Sequence, residues 1–264
     1  MSTTFTILGC GSSAGVPRIG GDWGACNPKN SKNRRSRCSL LVEQIGAAGT
    51  TRVLIDTSPD MRQQMLDANV KSIDGVWYTH EHADHTHGID ELRAFYLIQR
   101  QRIPIWADAA TAGMLMTRFA YCFMSPDGSA YPPIAKHNLI DHGQLVETIG
   151  AGGTLAATPI VVQHGNINAL GFKIDKVAYS PDVNGISDRA AAQLENLDVW
   201  IVDALRRTPH PSHFSLTETL EWIERLKPKQ AIITNMHIDL DYETLTLELP
   251  PNVIPAFDGL SFGV

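Results

Sequence analysis

Apolar residues fall in short runs along the 264-residue chain, and their spacing assigns each run to a strand or a helix. Residues 4–8 read as a first strand, followed by a polar, Gly-rich loop from 9 to 37. Strands are expected at 39–42 and 52–55, separated by a small-residue turn. Pro59 opens a helix to residue 68, since proline is tolerated in a first helical turn. Residues 75–78 form a short apolar strand that runs straight into Thr79-His80-Glu81-His82-Ala83-Asp84-His85. The spacing of Leu92, Phe95 and Tyr96 predicts a helix over 89–99. A strand at 103–106 and a helix at 109–119 follow, and 121–137 reads as irregular.

Strand-like runs recur at 145–149, 154–163, 170–174 and 177–179. A helix at 188–195, a strand at 199–202, a helix at 216–226 and a strand at 230–234 close the pattern. Two strand-rich halves with interspersed helices, and no regular βαβ repeat, predict an α+β fold. Its two mixed sheets would pack on each other under covering helices, unlike a doubly wound sheet. No internal repeat or low-complexity tract divides the chain, so residues 1–264 are read as a single domain.

Composition narrows the function classes. A formal net charge of −6 argues against a broad basic surface, so long nucleic acid is not the expected partner. A small anionic substrate in a local basic or metal-lined pocket stays open. No apolar run approaches the roughly 18 residues that span a bilayer. Residues 1–8 lack the positive segment and apolar run of a secretory signal. Four scattered cysteines, Cys10, Cys26, Cys38 and Cys122, do not make a disulfide framework, and a reduced, cytoplasmic protein is expected.

Four candidate metal ligands sit within six residues: His80, His82, Asp84 and His85. They follow an apolar strand, so they are expected on a loop at a sheet edge. There His80 and His82 can face one way, Asp84 and His85 another, and one loop can feed two neighbouring ions. A lone histidine is usually structural; three with an aspartate at this spacing point to zinc, manganese or iron. Further ligands come from strand exits. His164 ends the strand at 154–163, Asp182 follows the strand at 177–179, and His237 follows the strand at 230–234. As a set they complete a binuclear site. One ion takes His80, His82 and His164, the other takes Asp84, His85 and His237, and Asp182 bridges them.

The pattern His80-x-His82-x-Asp84-His85, with later His164, Asp182 and His237, resembles the metallo-β-lactamase superfamily. The resemblance extends over nearly the whole chain and implies an αββα sandwich. The opening Leu8-Gly9-Cys10-Gly11-Ser12-Ser13-Ala14-Gly15-Val16-Pro17 and the run Asn33-Arg34-Arg35-Ser36-Arg37-Cys38-Ser39 are more specific. They resemble the branch that holds the phosphoribosyl cyclic phosphodiesterase, close to ribonuclease Z. That branch implies hydrolysis of a small cyclic or nucleotide-like phosphodiester, and relatives of this kind form dimers.

Two divalent cations about 3.5–4 Å apart lower the pKa of a shared water towards neutrality and offset the charge of a phosphate. Asp84 therefore counts among the catalytic candidates. His213, in His213-Phe214-Ser215, resembles the family's His-x-Thr/Ser motif and is the candidate acid for the leaving oxygen. The alternative makes it a neighbour of a helix cap at Ser215. Asp203, at the end of the strand at 199–202, can orient His213 or bind the site water. By resemblance Asp56 supports the ligand loop, as acceptors behind metal-bound histidines do; the alternative is a cap before Pro59.

Some features depart from the branch or stay open. Its relatives carry a structural zinc, whose positions here read Gly21, Trp23, Cys26 and Leu240. One thiolate cannot form a tetrahedral site, so no structural zinc is expected and Trp23 should fill the space by packing. Gly9-x-Gly11-x-x-x-Gly15 lacks the helix that a nucleotide motif requires, and reads as a glycine turn. Lys32 to Arg37 is by default a solvated charged loop; alternatively Arg34 or Arg37 faces a substrate phosphate. His87, His137, His142 and His210 have no place among the ligands and read as surface or supporting residues. Cys10 and Cys38 are expected as small core residues. Three other readings compete: a tRNA 3′-processing nuclease, for which no inserted basic arm is present; a thioester or lactam hydrolase; and a non-catalytic metal-binding protein on the same fold.

Overall fold

The computed structural model describes residues 2–125, 127–141 and 143–264, so His142 lies outside the described residues. Two compact units emerge. Unit 1 comprises Met1–Leu8, Ser39–Ala156 and Ser261–Val264, and unit 2 comprises Gly9–Cys38 and Ala157–Leu260. The strands form two mixed, seven-stranded sheets with flanking helices.

The first sheet contains β1 (Ser2–Gly9), β2 (Ser39–Gly46), β3 (Gly49–Ile55), β4 (Gly75–Trp77), β5 (Ile103–Ala107), β6 (Ala135–Leu139) and β14 (Leu260–Gly263), in the order β14-β1-β2-β3-β4-β5-β6. β2 and β3 form an antiparallel hairpin, and β3 to β6 run parallel. Val53, Leu54 and Ile55 are consecutive and all fully buried, as expected of a parallel strand covered on both faces. α1 (Met61–Asp67), α2 (Ala83–Thr86), α3 (Leu92–Gln99), α4 (Ala109–Arg118) and α5 (Ala120–Phe123) carry the crossovers. Met61, Leu92 and Leu115 from these helices pack on Leu54, Val76 and Ile105 of the sheet.

The second sheet contains β7 (Val146–Gly150), β8 (Gly153–His164), β9 (Ile167–Ile174), β10 (Val177–Ser180), β11 (Val199–Asp203), β12 (Gln230–Thr234) and β13 (Val253–Pro255), in the order β13-β12-β11-β10-β9-β8-β7. β8, β9 and β10 pair antiparallel, then β10 to β13 run parallel. α6 (Asp188–Gln193), α7 (Leu216–Leu226) and α8 (Tyr242–Glu248) lie between the parallel strands. α7 shows why the chain turns helical here. Leu216, Thr219, Ile223 and Leu226 share one buried face, and Ser215 with Glu218 forms a capping box at its start.

Four expectations need correction. Each sheet does contain three successive parallel βαβ steps; the sequence pattern shows part of each alternation but not the last strand of each run, the polar β6 and the three-residue β13. The stretch 121–137 is not wholly irregular: it holds part of α5 and of β6, an edge strand whose polar Lys136, His137 and Asn138 mask its periodicity. Asp84 and His85 sit on the single turn of α2, not on an open loop. Beyond residue 234 the pattern does not close, because α8, β13 and β14 follow. α8 is set by Asp241 at its N-cap. That carboxylate accepts from the Asn27 amide at 3.0 Å, Asn33 Nδ2 at 2.6 Å, the Thr244 amide at 3.0 Å and Thr244 Oγ1 at 3.1 Å. Among the described residues, no helix is long and apolar enough to cross a membrane.

Candidate metal centre

In unit 1 the candidate ligands hang on one buried carboxylate. Asp56 follows β3 with φ of 65°, a left-handed conformation that aspartate tolerates better than most residues. Its Oδ1 accepts from the Thr79 amide at 2.8 Å, and its Oδ2 accepts from Thr79 Oγ1 at 2.7 Å and His85 Nδ1 at 2.7 Å. With its proton committed to Asp56, Thr79 Oγ1 becomes the acceptor for His80 Nδ1 at 2.9 Å. Asp56 thereby fixes the Nδ1–H tautomer of both rings, directly for His85 and through Thr79 for His80, and Nε2 is the atom with the lone pair. Burial pushes the Asp56 carboxyl up, and the adjoining His85 works against that shift.

His80 and His85 are buried, with ring centroids 4.3 Å apart, while His82 is exposed and its ring lies 4.6 Å from that of His80. Asp84 Oδ2 lies 3.6 Å from His85 Nε2. From the end of α4, Arg118 Nη1 donates to the Glu81 carbonyl at 3.0 Å and braces the loop between His80 and His82. A Cβ on Gly88 would collide with the Ser58 carbonyl, so the turn after α2 requires glycine for close backbone approach.

In unit 2 the candidates come from separate strand exits. His164 ends β8; its Nδ1 donates to the Ser212 carbonyl at 2.6 Å, and its Nε2 lies 3.5 Å from Asp182 Oδ2. Asp203 ends β11 and is fully buried. Its Oδ2 accepts from the Val183 amide at 3.0 Å and His213 Nδ1 at 2.7 Å, and its Oδ1 accepts from Asn235 Nδ2 at 3.2 Å. Burial raises the Asp203 carboxyl against the pull of His213. His213 Nδ1 also lies 3.8 Å from Asp182 Oδ2. His237 Nδ1 donates to Asp239 Oδ1 at 3.0 Å, and Asp239 Oδ2 in turn accepts from the Arg207 amide at 3.0 Å.

A model of the family described as "Beta-lactamase superfamily domain" matches residues 51–238, most of the chain. The chain belongs to the metallo-β-lactamase superfamily. It is therefore a metal-dependent hydrolase by family. A crystal structure of a diphosphatase from the PhnP family superposes with a TM-score of 0.90 at 34% identity, over 100% of this chain and 98% of that one. An octanoyltransferase of Porphyromonas gingivalis is 31% identical over 259 residues, 96% of this chain and 50% of that protein. The chain thus spans about half the length of that curated relative. The short form of human tRNase Z shares the fold, with a TM-score of 0.62 at 15% identity over 98% of each chain.

Within this metallo-β-lactamase chain each unit holds part of the predicted set. His80, His82, Asp84 and His85 gather in unit 1; His164, Asp182 and His237 belong to unit 2 with Asp203 and His213. His80 and His82 offer ligand atoms within 4.8 Å of each other, as do His164 and Asp182. The imidazole and carboxylate donors, with Nδ1 of each supported ring bound to protein, fit a divalent cation.

Asp56 is not a helix cap, since Asp60 occupies the N-cap of α1. Ser215 is the cap next to His213, so that alternative and the Asp203–His213 pair coexist. Trp23 packs on Val16, Cys26 and Ile238, and the Arg34 guanidinium lies 5.5 Å over its ring. Cys10 and Cys38 are buried thiols; Cys10 Sγ donates to Asp258 Oδ1 at 3.4 Å, and burial together with that carboxylate raises its pKa. The His210 ring lies tilted against that of His213, with centroids 5.1 Å apart, and accepts from the Ser212 amide at 3.3 Å, while His87 packs on Phe119 with centroids 5.4 Å apart. His137 is half-buried in β6, with Nε2 3.3 Å from the Ala107 carbonyl.

Thr79, Asn235, Asp239 and Arg18 carry no role in the sequence pattern, and Arg35 enters it only as part of the run 33–39. Thr79 and Asp239 were within reach, one residue before His80 and two after His237, because such neighbours are the natural acceptors for ligand imidazoles.

Proposed function

We propose that this hydrolase is a phosphodiesterase acting on a small cyclic or nucleotide-like phosphodiester with two divalent cations, zinc or manganese, with iron as an alternative. The observation that carries the reading is a pattern repeated in both units. His80, His85, His164 and His237 each have Nδ1 bound to a protein acceptor, so that Nε2 presents the lone pair a cation needs. As the family pattern implies, His80, His82 and His164 would hold one ion; Asp84, His85 and His237 the other, with Asp182 shared. Bound there, the cations supply an acidic water and charge neutralisation at phosphorus. The protein's own residues do the rest. Asp203 holds Nδ1 of His213, which orients that ring as the proton donor for the leaving oxygen. Likeness over the full chain to a diphosphatase favours a phosphoryl substrate over other classes.

A second reading, hydrolysis of an acyl thioester, draws support from the octanoyltransferase relative. That protein's named activity can reside in the half this chain does not match. We also infer that residues 1–264 act together as one cytoplasmic hydrolase domain. The test is a substrate panel: bis(p-nitrophenyl) phosphate, a ribose cyclic phosphate and an octanoyl thioester, each with zinc or manganese, beside His80→Ala. Cleavage of either diester by the wild type and not by the variant is expected. Thioester cleavage with neither diester cleaved would replace the first reading with the second.

A further inference from the structure

We infer that Arg18 is the substrate-binding arginine of this site, the residue that grips the anionic phosphate group of the diester; the inference rests on the phosphodiesterase reading above. Neither the sequence motifs nor the ligand set singles Arg18 out, because it lies in the long polar loop before β2. Its placement in unit 2 is built in three steps. The stem of its loop is clamped by a reciprocal backbone pair, with the Val16 amide donating to the Arg35 carbonyl at 2.9 Å and the Arg35 amide to the Val16 carbonyl at 2.9 Å. Arg35 is itself buried, and its guanidinium donates to the His237 carbonyl at 3.3 Å and the Leu240 carbonyl at 2.7 Å. The same residue therefore ties the loop stem to the segment that carries His237. Beyond the stem the chain reverses in a tight turn, with the Gly21 amide bonded to the Arg18 carbonyl at 2.9 Å and the Arg18 amide to the Asp22 carbonyl at 2.9 Å. Gly20 and Gly21 take φ of 95° and 81°, which only glycine adopts at little cost.

The turn delivers the Arg18 guanidinium to Nε2 of His237, where the two are hydrogen-bonded. Because Asp239 fixes the His237 proton on Nδ1, Nε2 is the lone pair that Arg18 faces. That lone pair is the one a cation takes. Once it is taken, the guanidinium needs another acceptor. Its neighbour Asp22 is a weak candidate, since it lies 3.9 Å away and both side chains are well exposed. A planar fork of N–H donors held beside a metal ligand matches the paired oxygens of a phosphate diester, for which guanidinium is the preferred partner. Arg34 lies over Trp23, Arg35 is spent on backbone carbonyls, and Arg37, the other arginine that the sequence offers for a phosphate, is half-buried with its guanidinium beside Gly15.

The test compares wild type, Arg18→Ala and Arg18→Lys, with Arg62→Ala as a control that removes an exposed positive charge in unit 1. Two readouts are taken on metal-loaded protein: KM and kcat for bis(p-nitrophenyl) phosphate, and calorimetric binding of methylenediphosphonate, an anion the enzyme cannot hydrolyse. Arg18→Ala is expected to raise KM and weaken methylenediphosphonate ~10- to 100-fold, the loss of one charge-assisted pair. Metal content should equal that of the wild type, Arg18→Lys should recover part of the loss, and Arg62→Ala should match the wild type. Unchanged KM and binding in Arg18→Ala would overturn the inference, as would a wild type that binds no methylenediphosphonate. A wild type that binds the phosphonate but cleaves neither bis(p-nitrophenyl) phosphate nor a ribose cyclic phosphate would defeat the phosphodiesterase reading, while the binding comparison still decides the role of Arg18.

Discussion

The two units solve one problem, presenting imidazole Nε2 atoms to a cation, by opposite means. Unit 1 concentrates its ligands in six consecutive residues and braces them with a single carboxylate, Asp56, which reaches His85 directly and His80 through Thr79. Unit 2 spreads its candidates over the exits of β8, β10, β11 and β12, and each of its three histidines has its own support. His164 uses the Ser212 carbonyl, His213 uses Asp203, and His237 uses Asp239. A contiguous cluster shares one brace, whereas a dispersed set needs one brace per ligand. Damage to a brace in unit 1 should therefore spread across ligands, and damage in unit 2 should stay local.

The largest effect should come from removing ligands outright. His80→Ala and Asp182→Ala are each expected to abolish diester hydrolysis, a loss of ~1,000-fold or more, since the proposed chemistry needs both ions. Residual turnover within tenfold of wild type in either variant would break the proposed ligand set. Next in size, His213→Ala should lower kcat by ~100- to 10,000-fold while metal content is kept, the range for a general acid. Asp203→Asn should fall short of that and shift the pH–rate profile, because the His213 ring loses its orienting acceptor.

The comparison of braces is sharpened by Asp56→Asn against Asp239→Asn. Each should weaken metal binding ~10- to 100-fold. Loss of the Asp56 carboxylate should reduce occupancy of both ions, as read by metal titration, and Asp239→Asn that of one. Equal single-ion losses in the two variants would show that Asp56 does not serve two ligands.

Legibility followed the same divide. His80, His82, Asp84 and His85 stood out because their spacing is rare and local. His164, Asp182 and His237 could be proposed only as residues at strand exits, because proximity across a fold leaves no trace in spacing. Supporting residues were harder still: Asn235 acts through a left-handed backbone after β12, and the Ser212 carbonyl has no side-chain signature at all. Long strands and well-capped helices such as α7 read cleanly. The parallel βαβ order did not, since the last strand of each run carries no clear period: β6 is polar at Lys136, His137 and Asn138, and β13 has only three residues.

The smallest effect concerns stability away from the chemistry. Burial alone would push the Asp241 carboxyl up, but the hydrogen bonds from Asn27, Thr244 and Asn33 outweigh it and hold the pKa at about 2. A lowered carboxylate stabilises the folded state above its unfolded pKa, and that contribution fades as pH falls from about 4 through about 2. Asp241→Asn should thus cost about 2 kcal/mol at neutral pH, with the gap to wild type closing in acid, as read from urea midpoints along a pH series.

The most direct test of the central claim is a metal titration of the metal-free protein, with bis(p-nitrophenyl) phosphate hydrolysis followed at each addition. Activity should be absent at the start and rise to a plateau as two zinc or manganese ions bind per chain. Full turnover without metal, or two tightly bound ions with no diester cleaved, would contradict it.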